Sequence, residues 1–150
     1  MCSSDLVKGY RPLWAFGHGL SYTSFALSGL TAQPNGKGVT VAFLVRNTGK
    51  RAGKGVAQVY VSPADWKKAG WEAPRRLGAF AKANLKPGQT KSVELSVDPR
   101  LLATYEAAGN NWHVRSGTYR LLVGDSSDAQ MQTVDVTLPD QVWSASKRGD

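Results

Sequence analysis

The chain has one cysteine in 150 residues, Cys2, so no internal disulfide braces it. Its two histidines, His18 and His113, with that one thiol make a zinc site improbable, and no metal or cofactor is expected. No run approaches the ~20 apolar residues of a membrane-spanning helix. No charged stretch followed by an apolar one marks a signal peptide. Nor does any stretch sustain a 3.6-residue apolar period, which argues against a helical body. A chain of this length still buries roughly 68–70% of its unfolded surface, so an ordinary apolar core needs neither disulfide nor metal.

Acids are scarce too, 11 Asp and Glu against 19 Lys and Arg, for a net charge of +8. The excess is concentrated. Between residues 46 and 91 stand eleven Lys or Arg against Asp65 and Glu72. A basic surface of this kind suits an anionic polymer, a docked acidic neighbour, or plain solubility. The cations belong to no recognisable nucleic-acid motif, so nucleic acid is not expected as a partner.

What is present is alternation. Val39, Val41, Phe43 and Val45 share one face, opposite Thr40, Ala42, Leu44 and Arg46. The same period of two recurs at Ala57, Val59 and Val61, at Val93, Leu95 and Val97, at Tyr119, Leu121 and Val123, and at Val134, Val136 and Leu138. Leu77 and Phe80 mark a short, irregular strand, and residues 22–30 form the first. Asn47-Thr48-Gly49, Lys86-Pro87-Gly88, Arg115-Ser116-Gly117 and Gly124-Asp125-Ser126-Ser127 supply turn chemistry between them. One helical turn is expected, with Asp98 as cap, Pro99 at the first position and residues 101–105 following. The fold class is therefore all-β, an antiparallel two-sheet sandwich of about seven strands. Residues 1–21 read as a linker or leader, of which 1–6 fit neither strand nor cap and look foreign or truncated. The sandwich occupies 22–139, and 140–150 reads as a flexible tail.

The acids offer no catalytic pair. Glu94 alternates with apolar neighbours and should face water, Asp98 reads as a cap, and Glu106, Asp125, Asp128 and Asp135 fall in turns or on polar strand faces. His18, between Gly17 and Gly19, is either displayed for acid–base work or positioned by a backbone group. His113 reads as a strand-edge residue. Gly19-Leu20-Ser21 begins like a nucleophile elbow, but Thr23 stands where the second glycine is required. The glycines near Gly36 and Gly53 lack the strand–turn–helix setting of a phosphate loop. Trp66 and Trp71 lie in one inter-strand loop, where they could stack on sugar rings, dock on a partner, or cover the sheet edge. Trp112 and Tyr119 fit the core or its rim.

Five stretches, in order and at compatible spacing over residues 9–138, carry a resemblance. They are Pro12-Leu13-Trp14-Ala15-Phe16-Gly17-His18-Gly19-Leu20-Ser21-Tyr22-Thr23-Ser24-Phe25; Asn47-Thr48-Gly49 with Gly53-Lys54-Gly55-Val56-Ala57-Gln58-Val59-Tyr60-Val61; Arg76-Leu77-Gly78-Ala79-Phe80 leading to Leu85-Lys86-Pro87-Gly88-Gln89-Thr90; Asp98-Pro99-Arg100-Leu101-Leu102; and Trp112 followed by Ser116-Gly117-Thr118-Tyr119 and Gly124-Asp125-Ser126-Ser127. Together they resemble the C-terminal fibronectin type III-like domain of family 3 glycoside hydrolases, enzymes of the β-glucosidase type. The resemblance implies a fibronectin-like sandwich that does no chemistry itself. A retaining glycosidase needs two carboxylates about 5–5.5 Å apart, and in the family these belong to upstream domains whose motifs this chain lacks.

The implied role is docking on those upstream catalytic domains. Trp14, Phe16, His18, Tyr22, Trp66 and Trp71 are the candidate docking or sugar-contact residues. The rival is an independent carbohydrate- or surface-binding module using Trp66 and Trp71. The resemblance also implies a periplasmic or extracellular setting.

Overall fold

A computed structural model describes residues 13–36, 38–128 and 131–145. The expectations for residues 1–12, and for the tail beyond 145, lie outside the described residues. In chain order the strands are β1 (Phe25–Asn35), β2 (Gly38–Asn47), β3 (Gly53–Pro63), β4 (Arg76–Leu85) and β5 (Thr90–Val97). A one-turn helix, α1 (Pro99–Leu102), precedes β6 (Thr104–Glu106) and a 3₁₀ turn at Ala107–Gly109. Then come β7 (Asn111–Val114), β8 (Gly117–Gly124), β9 (Gln132–Leu138) and β10 (Gln141–Ser144).

Seven strands make the sandwich, a three-stranded sheet β1-β2-β5 facing a four-stranded sheet β4-β3-β8-β9. Every pairing is antiparallel. The inward rows are those the alternation marks: Val39, Val41, Phe43 and Val45 from β2 meet Ala57, Val59 and Val61 from β3 and Tyr119, Leu121 and Val123 from β8. Each fully buried Val or Leu contributes about 1.5–3 kcal/mol relative to exposure. Glu94 faces solvent, as its place between Val93 and Leu95 requires.

Several boundaries differ from the sequence reading. β1 begins at Phe25 and runs on to Asn35, because a register shift between Ser28 and Thr31 lets pairing with β2 resume. Gly29, at φ 66, absorbs that bulge. β4 is a regular ten-residue strand with one irregularity opposite Val59 and Tyr60, not a short one. Asp98 caps α1 by accepting from the Arg100 N–H, but the helix stops at Leu102 because Ala103 is extended, so Tyr105 lies in β6. The segment expected as a tail from 140 contains β10, which pairs with β7. With β6 it completes a small third sheet, β10-β7-β6.

Candidate docking site

Four of the motif stretches meet at one end of the sandwich, and Asn47 joins three of them. Its side chain is fully buried at 0% exposure and has no unmet hydrogen-bonding capacity. Oδ1 accepts from Thr23 Oγ1 at 2.7 Å and from the Gly49 N–H at 3.0 Å. Nδ2 donates to Arg51 O at 2.8 Å and to Leu85 O at 3.0 Å. Its backbone N–H donates to Gln89 O and its carbonyl accepts from Gly88 N–H, both at 3.0 Å. The β2–β3 turn, the β4–β5 turn and the segment entering β1 are thereby fastened to one residue. A buried amide is tolerated only when so fully paired, which is why Asn-Thr-Gly stands at this turn.

The Gln-x-Tyr stretch builds the neighbouring support. Gln58 and Tyr60 are two apart on β3, on the face opposite the core, yet both are buried. The Tyr60 hydroxyl donates to Gln58 Oε1 at 2.6 Å, and Arg75 lies over the Tyr60 ring at 5.6 Å. Burial raises the phenol's pKa, with the Arg75 charge working against it. Arg75 also donates to Ser127 O at 2.7 Å.

The N-terminal segment covers this pair. The Ser127 N–H donates to Phe16 O at 2.8 Å, fastening the segment to the turn after β8. Gly17, at φ 87, lies so close that a Cβ there would sit 2.0 Å from Gln58 Nε2 and 3.1 Å from Asp125 O. Only glycine meets both demands. At its other end the segment is held by Thr48 N–H donating to Ser24 O at 2.8 Å. Between these anchors runs a groove of about 860 Å³ whose lining includes His18, Leu20, Phe25, Val45, Lys54 and Gln132.

Although anchored at both ends, the segment leaves large apolar side chains in water. Trp14 is 67% exposed, Tyr22 92% and Leu20 99%, with Leu13 and Phe16 also exposed. The His18 ring stacks on Trp14 at 4.8 Å and is solvent-exposed. Trp14, Phe16, His18 and Tyr22 therefore share one strip.

Trp66 and Trp71 are not on it, and they differ from one another. Trp71 is 4% exposed, part of the core, with Arg76 over its ring at 4.0 Å and Tyr119 at 6.3 Å. Arg76 is itself fixed by Glu72 and by the carbonyls of Leu101 and Ala103. Trp71 thus has no face to offer a sugar or a partner, contrary to expectation. Trp66 is partly buried against the core, with Lys67 Nζ 5.5 Å from its ring.

His113 also departs from the strand-edge reading. It lies on β7, the central strand of the small sheet, with Nδ1 2.8 Å from Glu106 Oε1 and Nε2 2.8 Å from Asp140 Oδ1. Hydrogen bonds first to Asp140 and then to Glu106 raise its pKa above the ordinary histidine value. No sequence signal pointed to this triad, whose members are 7 and 27 residues apart.

Three acids elsewhere are tied to cations: Glu72 to Arg76, Asp98 to Arg100 and Asp135 to Arg120. Among the described residues no group of three or more His, Cys, Asp and Glu could hold a metal ion.

A family model for the fibronectin type III-like domain matches residues 55–127. The chain is 39% identical over 125 residues to thermostable beta-glucosidase B of Acetivibrio thermocellus, an alignment covering 81% of this chain and 16% of that protein. It is 38% identical over 125 residues to the exo-alpha-(1->6)-L-arabinopyranosidase of Bifidobacterium breve, covering 82% of this chain and 16% of that one. Among solved structures, beta-glucosidase 3B from Thermotoga neapolitana, in complex with alpha-D-glucose, superposes with a TM-score of 0.84 at 33% identity, over 95% of this chain and 20% of that one. The chain spans about a sixth of the length of the curated relatives it matches.

Proposed function

Since this chain is a fibronectin type III-like domain of the glycoside hydrolase family 3 kind, we propose that it is the non-catalytic accessory domain of a β-glucosidase-type hydrolase and stabilises the catalytic domains by docking on them. The parent enzyme would cleave terminal β-linked sugars, and the domain would hold its geometry. The observation that carries this reading is the strip. A segment fastened to Asn47 and Ser127 keeps Trp14, Leu20 and Tyr22 in water, an arrangement that costs stability unless something covers it.

A second fact supports it. Relatives named for different sugars, a β-glucosidase and an α-L-arabinopyranosidase, match this chain at nearly equal identity. What these domains share is then a task common to both enzymes, not the choice of sugar. The rival, a free-standing sugar-binding module, is weakened because burial of Trp71 leaves it one of its two aromatic faces.

The test is a chimera in which this chain replaces the matching 125-residue stretch of the Acetivibrio thermocellus β-glucosidase. Its Tm and its turnover of a chromogenic β-glucoside should exceed those of the same enzyme truncated before that stretch. Introducing Trp14→Ser, Leu20→Ser and Tyr22→Ser together should abolish the gain. A triple variant as stable as the unmodified chimera, or turnover by this chain alone, refutes the proposal.

A further inference from the structure

Six cations gather at the end of the sandwich that Asn47 organises. Arg46 is the last residue but one of β2, Lys50 and Arg51 sit in the β2–β3 turn, and Lys54 is the second residue of β3. Lys86 lies in the β4–β5 turn and Lys91 is the second residue of β5. The two turns cannot drift apart, because Asn47 bonds to Arg51 O in one and to Leu85 O, Gly88 N–H and Gln89 O in the other.

All six side chains are exposed, and among the described residues none forms an ion pair. Elsewhere Lys68, Arg76, Arg100, Arg115 and Arg120 each have a carboxylate partner. No Asp or Glu occurs from residue 46 to 64 or from 73 to 93. Asp125 lines the same groove as Lys54 without pairing with it. Unpaired like charges on one end of the molecule sum to a positive field, so the turns attract an anion.

The residue types say which kind. Four of the six are lysines, compact and strongly hydrated charges. The cores of protein–protein interfaces are instead enriched in Arg and depleted in Lys. A rigid row of wet cations fits a hydrated anionic chain better than a desolvated protein patch. The relatives are named for glycosides, which favours a carboxylate-bearing sugar chain over a phosphate one. We propose that this basic pole binds a carboxylated polysaccharide, an extended uronate polymer laid across the two pinned turns. The inference concerns the turns, which lie at the same end of the sandwich as the strip, and its test uses this chain without the catalytic domains.

The probe is polygalacturonate, in affinity electrophoresis and titration calorimetry with the whole chain. Binding at 20 mM salt should weaken linearly in log Kd against log salt, by at least tenfold on reaching about 200 mM. The fully methyl-esterified polymer should not bind. Lys50→Ser, Arg51→Ser and Lys86→Ser combined should cost at least tenfold in affinity. A control with the same charge loss at the other pole, Lys67→Ser, Lys68→Ser and Arg100→Ser, should cost less than threefold. The proposal falls if the native chain fails to bind at low salt, if the two triple variants lose affinity equally, or if duplex DNA binds more tightly than polygalacturonate.

Discussion

Asn47 shows how much one polar side chain can organise when every one of its hydrogen-bonding groups is used. Replacing it by alanine removes four side-chain bonds and strands the carbonyls of Arg51 and Leu85 in a dry setting. The expected loss is about 3 kcal/mol, or roughly 6–12 °C in Tm for a chain of this size. Asn47→Asp should be no better, because it sets a carboxylate oxygen against those two carbonyls. Thermal melts of the two variants check this, and a loss below about 1 kcal/mol would mean that water replaces the amide without penalty. The role was half legible in the sequence: Asn-Thr-Gly reads as a turn, but its reach to Leu85 and Thr23 is tertiary. Trp71 teaches the same lesson in reverse, since beside Trp66 in one loop it looks equally available, and its packing in the core against Tyr119 and beneath Arg76 removes it from the surface.

Among the elements, β2, β3, β5, β8 and β9 were readable because each is long enough to repeat its alternation, whereas the bulges in β1 and β4 interrupt theirs and blurred their bounds. β6, β7 and β10 are three or four residues long, too short for any period to register, and a contact between distant residues helps hold them. Both nitrogens of His113 face carboxylate oxygens, and only the protonated ring can donate to both. Its pKa is raised in the folded state, so its contribution to stability is whole below the ordinary value of about 6.5 and is lost as pH climbs through the raised value. At the acid end the same triad weakens as Asp140, whose pKa is lowered chiefly by His113, takes up a proton. Hydrogen exchange of the β10 amides should therefore quicken as the pH rises above about 6.5, beyond the intrinsic pH effect, whereas in His113→Phe it should show no such step. An NMR titration placing His113 at or below 6.5 would sink the idea.

For the molecule as a whole, stability and the proposed docking fall to different surfaces. The inward rows of the two sheets hold the fold, while Leu20 and Tyr22 touch little of it. Leu20→Ser with Tyr22→Ser should therefore leave the unfolding free energy of the isolated chain within about 0.5 kcal/mol of the original while lowering its tendency to self-associate, as sedimentation would report. A drop above about 1.5 kcal/mol would mean that the strip belongs to the core after all. The way the chain enters β1 has a mechanical side. Because Thr23 is tied to Asn47 and Ser24 to Thr48, tension applied through residues 13–22 would be shared at once by two turns and two sheets instead of peeling away the edge strand β1.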